Sequence, residues 1–242
     1  MTTARLDRLL GNLGYGSRRE IQRMAAAGLI VLDGKPMTDA SRRAPVSADL
    51  PQRMTIGGLA VDPPAPLTLM MHKPLGVVCS HKEEGERVYD LLPARWRARD
   101  PALSTIGRLD KDTSGLLLIT DDGPLLHRVI SPKAHVSKRY RAVLDRPLTG
   151  EEAAVFARGD LMLDGEDKPL QPAILEPISP TEAWLTLTEG RYHQVRRMFA
   201  AVGNHVTALH RDRVGGLTLP QDLDPGRWRV LAPADIAALF SG

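Results

Sequence analysis

A carboxylate flanked by cations stands within the stretch GRLDKDTSGLLLITDDG, which runs from Gly107 to Gly123. Asp110 lies between Arg108 and Lys111 in this stretch. A carboxylate held ionised by nearby positive charge can act as a nucleophile or as a general base. The acidic and hydroxyl side chains also approximate the spacing of a calcium-binding loop. Three interpretations are open: a catalyst, a salt-bridged turn residue or a metal ligand.

The calcium interpretation requires a context that this stretch lacks. An EF-hand needs a helix on each side of the loop and a Glu at its twelfth position. Here Pro101 and Gly107 interrupt the preceding segment, and Asp121 occupies the twelfth position. The run LLLIT predicts a strand entering a turn, and the histidines show no metal-ligand spacing. We therefore expect no metal, and we expect Asp112, Asp121 and Asp122 to be turn and surface residues.

Basic segments elsewhere in the chain favour a catalytic Asp110 over a simple turn residue. Residues 127–141 contain five Lys or Arg and no acid, with Tyr140 embedded in KRYR. Three more arginines gather at the start of a late predicted helix: Arg191, Arg196 and Arg197. A lone acid among such segments would face an anionic substrate, where it would repel phosphate but could act on the nucleoside.

Composition points to a globular protein that works in a reducing compartment. The chain has 242 residues, 43% of them hydrophobic, and a formal net charge of +3. Its single cysteine, Cys79, cannot form an internal disulfide and excludes zinc sites built from Cys pairs. The apolar runs are too short to cross a membrane, and MTTARLDRLL lacks the apolar segment of an export signal. We expect a cytoplasmic protein without membrane contact.

A small basic module is predicted at the N-terminus. Leu6, Leu9, Leu10 and Leu13 have the spacing of a helix with one buried face, and Ser17 with Glu20 predicts the capping box of a second helix. Up to residue 43 there are eight Lys or Arg against four acids, which suggests a phosphate-binding surface. The arginines expected on it are Arg18, Arg19, Arg23, Arg42 and Arg43.

Beyond this module the pattern changes to short strands and turns with interspersed helices. DPPAP, at residues 62–66, predicts a stiff linker. The domain prediction is therefore a basic module at 1–60, a linker at 61–66 and a catalytic domain at 67–242. The last predicted helix, RYHQVRRMFAAVG, would place His193 and Arg197 on one face and end at Gly203. The pattern predicts a mixed, mainly antiparallel α+β fold.

Several of these segments together resemble the pseudouridine synthase family. GRLDKDTSGLLLITDDG resembles its central motif, HKPLGVVCS its first core strand and SKRYRA its tyrosine motif. EGRYHQVRRMFAAVGNHV and HRDRVGGLTL resemble the bacterial branch that modifies small-subunit ribosomal RNA, and the N-terminal module resembles the S-four type of RNA-binding domain. The resemblance implies isomerisation of uridine to pseudouridine without a cofactor or metal, with uridine 516 of 16S ribosomal RNA as the target.

The resemblance also assigns roles to residues of the central site. It implies that Asp110 is the catalyst, that Arg196 pairs with it and that Tyr140 stacks on the target uracil. Arg108, two residues before Asp110, is expected to contact the RNA backbone or to fill the space left by an extruded base.

Further expectations concern the RNA and the partners of the protein. Lys73 and Arg197 are expected to contact phosphates. The substrate is expected to be ribosomal RNA in a partly assembled small subunit, with no obligate protein partner. Two alternatives remain: a synthase that acts on large-subunit 23S RNA, and a non-catalytic RNA-binding assembly factor that would not need Asp110.

Overall fold

The computed structural model describes residues 2–80 and 84–241. The strands in this part of the chain are β1 (Thr2–Arg5), β2 (Ile30–Leu32), β3 (Lys35–Pro36), β4 (Arg43–Val46), β5 (Met54–Ile56), β6 (Leu59–Ala60), β7 (Thr68–Lys73), β8 (Ser104–Ile106), β9 (Thr113–Thr120), β10 (Lys138–Leu144), β11 (Ile174–Ser179), β12 (Glu182–Leu187), β13 (Val206–Val214), β14 (Leu217–Thr218) and β15 (Trp228–Val230). The α-helices are α1 (Leu6–Asn12), α2 (Arg18–Ala26), α3 (Leu50–Arg53), α4 (Gly123–Ile130), α5 (Glu152–Ala157), α6 (Gln194–Ala201) and α7 (Pro233–Ala238). Short 3-10 turns cover Val88–Leu91, Ala94–Ala98 and Pro132–Ala134.

The chain forms two compact units. The first unit combines the residues through Thr68 with two later segments, Leu92–Ser104 and Thr120–Asp122. The second unit holds Leu69–Leu91, Thr105–Ile119 and the residues from Gly123 onward. The first unit therefore contains chain from both sides of the predicted linker. Within the described residues, no helix combines the length and apolar character that a membrane crossing requires.

Local sequence signals account for the two helices of the first unit. All four leucines of the predicted first stripe, which include Leu6 and Leu13, are buried against α2 and the neighbouring strands. Ser17 caps α2, and its backbone N–H donates to the Glu20 carboxylate at 2.7 Å, as the capping-box pattern predicts. The hairpin of β2 and β3 turns at Asp33 and Gly34, both at positive φ. The predictions of the leucine stripe and of the capping box are confirmed.

A buried ion pair ties the later segments into the first unit. Arg99 donates to Asp121 Oδ2 at 3.0 Å, and the two side chains are 1% and 0% exposed. Asp121 Oδ1 accepts from the Leu67 backbone N–H at 2.6 Å. The expectation that Asp121 is a surface turn residue is wrong, because its buried carboxylate accepts from one nitrogen of a buried guanidinium and from a buried amide. Asp62, in the predicted linker, is also buried and bound to Arg95.

The second unit is built on a large mixed sheet. Its strand order is β11-β12-β10-β13-β9-β7-β15, with β14 beside β13 and β8 beside β9. β10 is antiparallel to both of its neighbours, whereas β13 and β9 run parallel. The prediction of a mixed, mainly antiparallel α+β fold is confirmed.

Two apolar clusters cover this sheet. In one cluster α5 and α6 pack on β10 to β13, and Phe156 meets Phe199 edge to face with ring centroids 5.4 Å apart. In the other, α4 and α7 pack against β7 and β9 through side chains such as Met70 and Leu118. Burial of this kind contributes roughly 25 cal/mol per Å² of apolar surface. The central strands are therefore a rigid base for the loops at their ends.

Replacement of Asp121 by Asn should destabilise the protein strongly. The substitution leaves the Arg99 guanidinium buried without a counter-charge, which costs about 3–5 kcal/mol. The measurement is the free energy of unfolding from urea titration followed by tryptophan fluorescence.

The matched control for this variant is Asp160→Asn. Asp160 pairs with Arg158, but the two side chains are 62% and 56% exposed. An exposed ion pair contributes about 1 kcal/mol or less, so the control should unfold almost as the wild type does. Equal stabilities of the two variants would show that the Arg99–Asp121 pair has no special role.

Candidate active site

A cleft of about 290 Å³ opens in the second unit, and the residues around it come from distant parts of the sequence. Asp110 lies in the loop before β9, and Tyr140 lies on β10. β13 contributes Leu209 and Arg211. The segment that precedes α6, at residues 190–193, closes another side. Four of the segments singled out in the sequence therefore meet at one place.

Strand pairing explains why these residues meet. Tyr140 on β10 lies opposite Arg211 on β13, and Gly115 on β9 lies opposite the same Arg211. Directly paired residues on neighbouring strands present their side chains to the same face of the sheet. Arg211 therefore stands between the tyrosine strand and the strand that follows the Asp110 loop.

Gly115 is required for this arrangement. Its φ is +116°, a region that side chains disfavour, and a Cβ atom there would lie 2.1 Å from the Arg211 carbonyl oxygen. It would also lie 2.7 Å from the Arg211 backbone nitrogen. Both atoms belong to backbone inside the sheet and cannot move aside cheaply. Only glycine permits β9 and β13 to approach this closely.

Asp110 presents a partly exposed carboxylate to the cleft. Its side chain is 32% exposed, and its Oδ1 lies 3.5 Å from Nε2 of His193. Its backbone carbonyl accepts from the Thr113 N–H at 3.1 Å, which fixes the turn. The carboxylate is thus held by its backbone and remains accessible to a substrate.

Arg196 does not pair with Asp110 in this structure. Its Nη2 lies 2.8 Å from Oδ2 of Asp112 and 3.1 Å from the Asp112 carbonyl, and its Nη1 donates to the Val206 carbonyl at 2.8 Å. The prediction that Arg196 pairs with Asp110 is therefore wrong, because Arg196 pairs with Asp112 instead. The physical reason is that Asp112 and these two carbonyls occupy both terminal nitrogens of the guanidinium, which ties the loop to the start of β13.

Tyr140 is oriented by a buried arginine that the sequence motifs did not indicate. Arg211 is 4% exposed, and its Nη1 lies 3.4 Å from the Tyr140 hydroxyl oxygen. Its Nε donates to the Leu116 carbonyl at 2.9 Å. The phenol oxygen accepts from Arg211, which leaves the phenol proton available to the cleft. Arg211 occurs within HRDRVGGLTL, but nothing in that segment reveals that its side chain is buried.

Lys138 adds a titratable group to the cleft. Its Nζ donates to the Val136 carbonyl at 2.8 Å. Burial lowers the pKa of Lys138 to about 8, and the positive charge of Arg211 acts in the same direction, whereas Glu189 opposes it. A lysine with this pKa carries a mixture of charged and neutral forms near physiological pH.

Lys73 is placed where it cannot contact a phosphate. Its side chain is fully buried, and its Nζ donates to the Thr113 carbonyl at 2.8 Å and to the Pro74 carbonyl at 3.0 Å. Burial lowers the pKa of Lys73, and nearby Cys79 and Asp110 counter that shift. The lysine links the end of β7 to the start of β9, so the structure contradicts its expected role in RNA binding.

Arg197, the other predicted phosphate contact, also bonds to groups of the protein itself. Its Nη1 lies 2.8 Å from Oε1 of Glu166, and the same atom donates to the Tyr192 carbonyl at 3.2 Å. His193 precedes α6 instead of lying within it, so the expected common helix face of His193 and Arg197 does not exist. Arg197 stabilises the segment before α6, and its charge is balanced by Glu166.

The remaining predicted RNA contacts are accessible. Arg108 is exposed at the rim of the cleft. In the first unit, Arg43 donates to the Thr3 carbonyl at 2.6 Å. The five arginines predicted for the phosphate-binding surface are all exposed: Arg18, Arg19, Arg23, Arg42 and Arg43. Across residues 2–80 and 84–241, no three His, Cys, Asp or Glu side chains come together in a way that could hold a metal ion.

Comparison with known proteins assigns a family to each of two parts of the chain. Residues 68–201 match the RNA pseudouridylate synthase family, and residues 4–50 match the S4 domain. The chain belongs to the RNA pseudouridylate synthase family, whose members isomerise uridine to pseudouridine. The resemblance found in the sequence is thereby confirmed.

Similarity to individual proteins extends over nearly the whole chain. The chain is 40% identical over 238 residues to ribosomal small subunit pseudouridine synthase A of Escherichia coli strain K12, covering 97% of this chain and 99% of that protein. It is also 40% identical to the uncharacterized RNA pseudouridine synthase YtzG of Bacillus subtilis strain 168, covering 97% and 98%. A crystal structure of a pseudouridylate synthase is similar with a TM-score of 0.68 and 34% identity, covering 97% and 99%.

The stability of the protein should depend on pH through Lys138. The pKa of Lys138 is about 8 in the folded state against an ordinary 10.5, so the unfolded chain binds more protons between those values. Stability contributed by this group therefore rises as the pH increases from about 8 to 10.5. In Lys138→Met this rise should be absent. Urea unfolding of both proteins at pH 7.5, 9 and 10 measures the difference, and parallel pH profiles would contradict the assignment.

Proposed function

We propose that this protein converts one uridine of small-subunit ribosomal RNA, uridine 516 of 16S RNA, to pseudouridine. The observation that carries the proposal is the partly exposed carboxylate of Asp110 in a cleft that also contains Tyr140 and Arg211. Support for the choice of RNA comes from the small-subunit synthase of Escherichia coli, to which the chain is similar from end to end.

The chemistry requires one positioned carboxylate. The bond between ribose C1′ and uracil N1 breaks, the base turns, and C5 forms the new bond to C1′. C5 then releases its proton, and N1 takes up a proton in exchange. Asp110 acts either as the nucleophile at the sugar or as the base that removes a sugar proton, and both routes use its ionised form. No atoms are gained or lost in the conversion, so the isomerisation consumes no second substrate.

Tyr140 and Arg211 act on the base. The Tyr140 ring would stack against the uracil during its rotation. Its hydroxyl, held by Arg211, is available to assist removal of the C5 proton after the new bond forms. Arg108 at the rim would contact the RNA backbone or occupy the space left by the extruded base. Extrusion costs a few kcal/mol, which basic contacts offset.

Replacement of Asp110 by Asn should abolish the reaction while RNA affinity changes little. Asn preserves the shape of the side chain but cannot act as a nucleophile or base, so the rate should fall roughly 100-fold or more. Release of tritium from C5-labelled uridine in small-subunit ribosomal RNA measures the rate, on naked RNA and on partly assembled subunits. Filter binding of the same RNA measures affinity.

The matched control is Asp222→Asn, which removes a carboxylate from an exposed loop and should retain full activity. Asp110→Asn with wild-type tritium release would refute the catalytic assignment. Wild-type protein that binds but never releases tritium would favour the non-catalytic assembly factor.

The modified position can be mapped in cells. A strain that lacks this protein should lose pseudouridine at position 516 of 16S RNA and regain it when the wild-type gene is supplied. Loss of a large-subunit pseudouridine instead would assign the protein to 23S RNA. We also propose a cytoplasmic setting, which the buried Cys79 thiol and the proposed ribosomal substrate support.

The arginines of the first unit should bind phosphates of the RNA. The triple variant Arg18→Gln, Arg19→Gln and Arg23→Gln removes three exposed charges from α2. Affinity falls as salt rises, and for each phosphate that is no longer neutralised the slope of log affinity against log salt should become shallower by about 0.7 to 0.9. RNA binding between 50 and about 300 mM salt measures that slope.

A control with the same change of charge separates specific contacts from net charge. The exposed arginines for this second triple Gln variant are Arg146, Arg158 and Arg229. We expect its salt slope to stay close to that of the wild type. Equal slopes for the two triple variants would show that α2 holds no dedicated phosphate surface.

A further inference from the structure

Tyr192 is an aromatic side chain left open at the edge of the cleft. It is 67% exposed, and its ring stacks on the ring of His193 with centroids 3.8 Å apart and an interplanar angle of 19°. Both residues line the cleft, and His193 Nε2 lies 3.5 Å from Oδ1 of Asp110. The stacked rings of His193 and Tyr192 therefore extend from the Asp110 carboxylate to the solvent-exposed rim of the cleft.

The backbone at this stack adopts a conformation that non-glycine residues rarely adopt. His193 has φ 49° and ψ 31°, in the left-handed region, immediately before α6 begins at Gln194. Such a conformation costs free energy and persists only where the surroundings hold it in place. The strain is located at the residue that connects Tyr192 to Asp110.

An ion-pair network holds the segment in this conformation. Arg191 pairs with Glu166 at 3.1 Å and with Glu189 at 3.2 Å, and it also donates to the Lys168 carbonyl at 2.7 Å. Gln194 accepts from the Arg191 N–H at 2.8 Å and donates to Glu189 at 2.9 Å. These contacts fix the residues on both sides of the stack, so the two rings are positioned before any substrate binds.

We propose that the Tyr192–His193 stack is a preformed subsite for the nucleobase of a nucleotide that flanks the target uridine. The inference rests on the proposed function. A nucleobase is the ligand class that suits an open aromatic ring, because every base has a flat face that can continue a stack. The acids around Arg191 balance its charge, so the subsite recognises a base and does not act as a phosphate clamp.

The position of the stack separates it from the site of the target base. Tyr140 and Arg211 belong to the sheet, and Arg211 is buried beneath the cleft. Tyr192 lies on the segment before α6 and is largely exposed. A base on Tyr192 would hold its own strand at the rim and thereby keep the neighbouring uridine near Asp110. The stack would also keep the His193 ring at the carboxylate.

The test is a cycle that combines two protein variants with modified RNA. The proteins are wild type, Tyr192→Ala and Tyr192→Phe. Each modified RNA carries one abasic nucleotide, placed either directly before or directly after the target uridine. On unmodified RNA, Tyr192→Ala should lower kcat/KM roughly 5- to 150-fold, whereas Tyr192→Phe, which retains the ring, should rescue most of that loss. Abasic RNA at one position should lower the wild-type value similarly but leave Tyr192→Ala unchanged.

The same comparison of proteins and RNAs can be made on affinity, measured by filter binding, which does not require catalysis. If the wild type released no tritium, the proposed function would fail, and the affinity cycle would still show whether Tyr192 holds a base. Ile174→Ala, which removes another exposed apolar side chain, serves as the control and should behave as wild type.

Two results would overturn the subsite. One is wild-type kcat/KM and affinity for Tyr192→Ala. The other is a loss of kcat/KM in Tyr192→Ala that adds to the loss caused by the abasic nucleotide at every position tested. Tyr192 would then only support the His193 ring and would not bind a base. Thermal unfolding of each variant separates either result from a general loss of structure.

Discussion

The close backbone approach of Gly115 to Arg211 sets the geometry of the cleft around Asp110. Parallel pairing of β9 with β13 requires a residue without a Cβ at this point, since any side chain would meet the Arg211 backbone. The same pairing places the loop that carries Asp110 beside the strand that carries Arg211. Antiparallel pairing of β10 with β13 then sets Tyr140 against that arginine. A contact between two backbones thus assembles side chains that lie about a hundred residues apart.

The cations around the site divide into those that build it and those that remain open to RNA. Lys73 and Arg196 donate hydrogen bonds to carbonyls of the loop, at Thr113 and Asp112. Burying such charges is favourable only where hydrogen bonds replace water, and these carbonyls supply them. Arg108 stays exposed at the rim. The loop is consequently held from below, while the Asp110 carboxylate faces the cleft.

The parts of the fold that depend on local sequence were predictable. The capping box of Ser17 and Glu20, the leucine stripe of α1 and the strand after Asp110 are all encoded within a few residues. The resemblance of the motifs also named Asp110 and Tyr140, which line one cleft. Partners of long side chains were not predictable in this way. Arg196 pairs with Asp112, and Arg99 forms a buried ion pair with Asp121. Both pairings depend on tertiary packing, which decides which acceptors lie within reach of a long side chain.

The position of the target nucleotide is the most direct consequence of this site geometry. The decisive measurement is a crystal structure of the Asp110→Asn protein with a ribosomal RNA fragment that contains the uridine. We predict that the uracil lies against the Tyr140 ring, with ribose C1′ about 3–3.5 Å from the side chain at position 110. A uridine bound instead in the groove lined by Ser114, Arg141 and His210 would contradict this assignment.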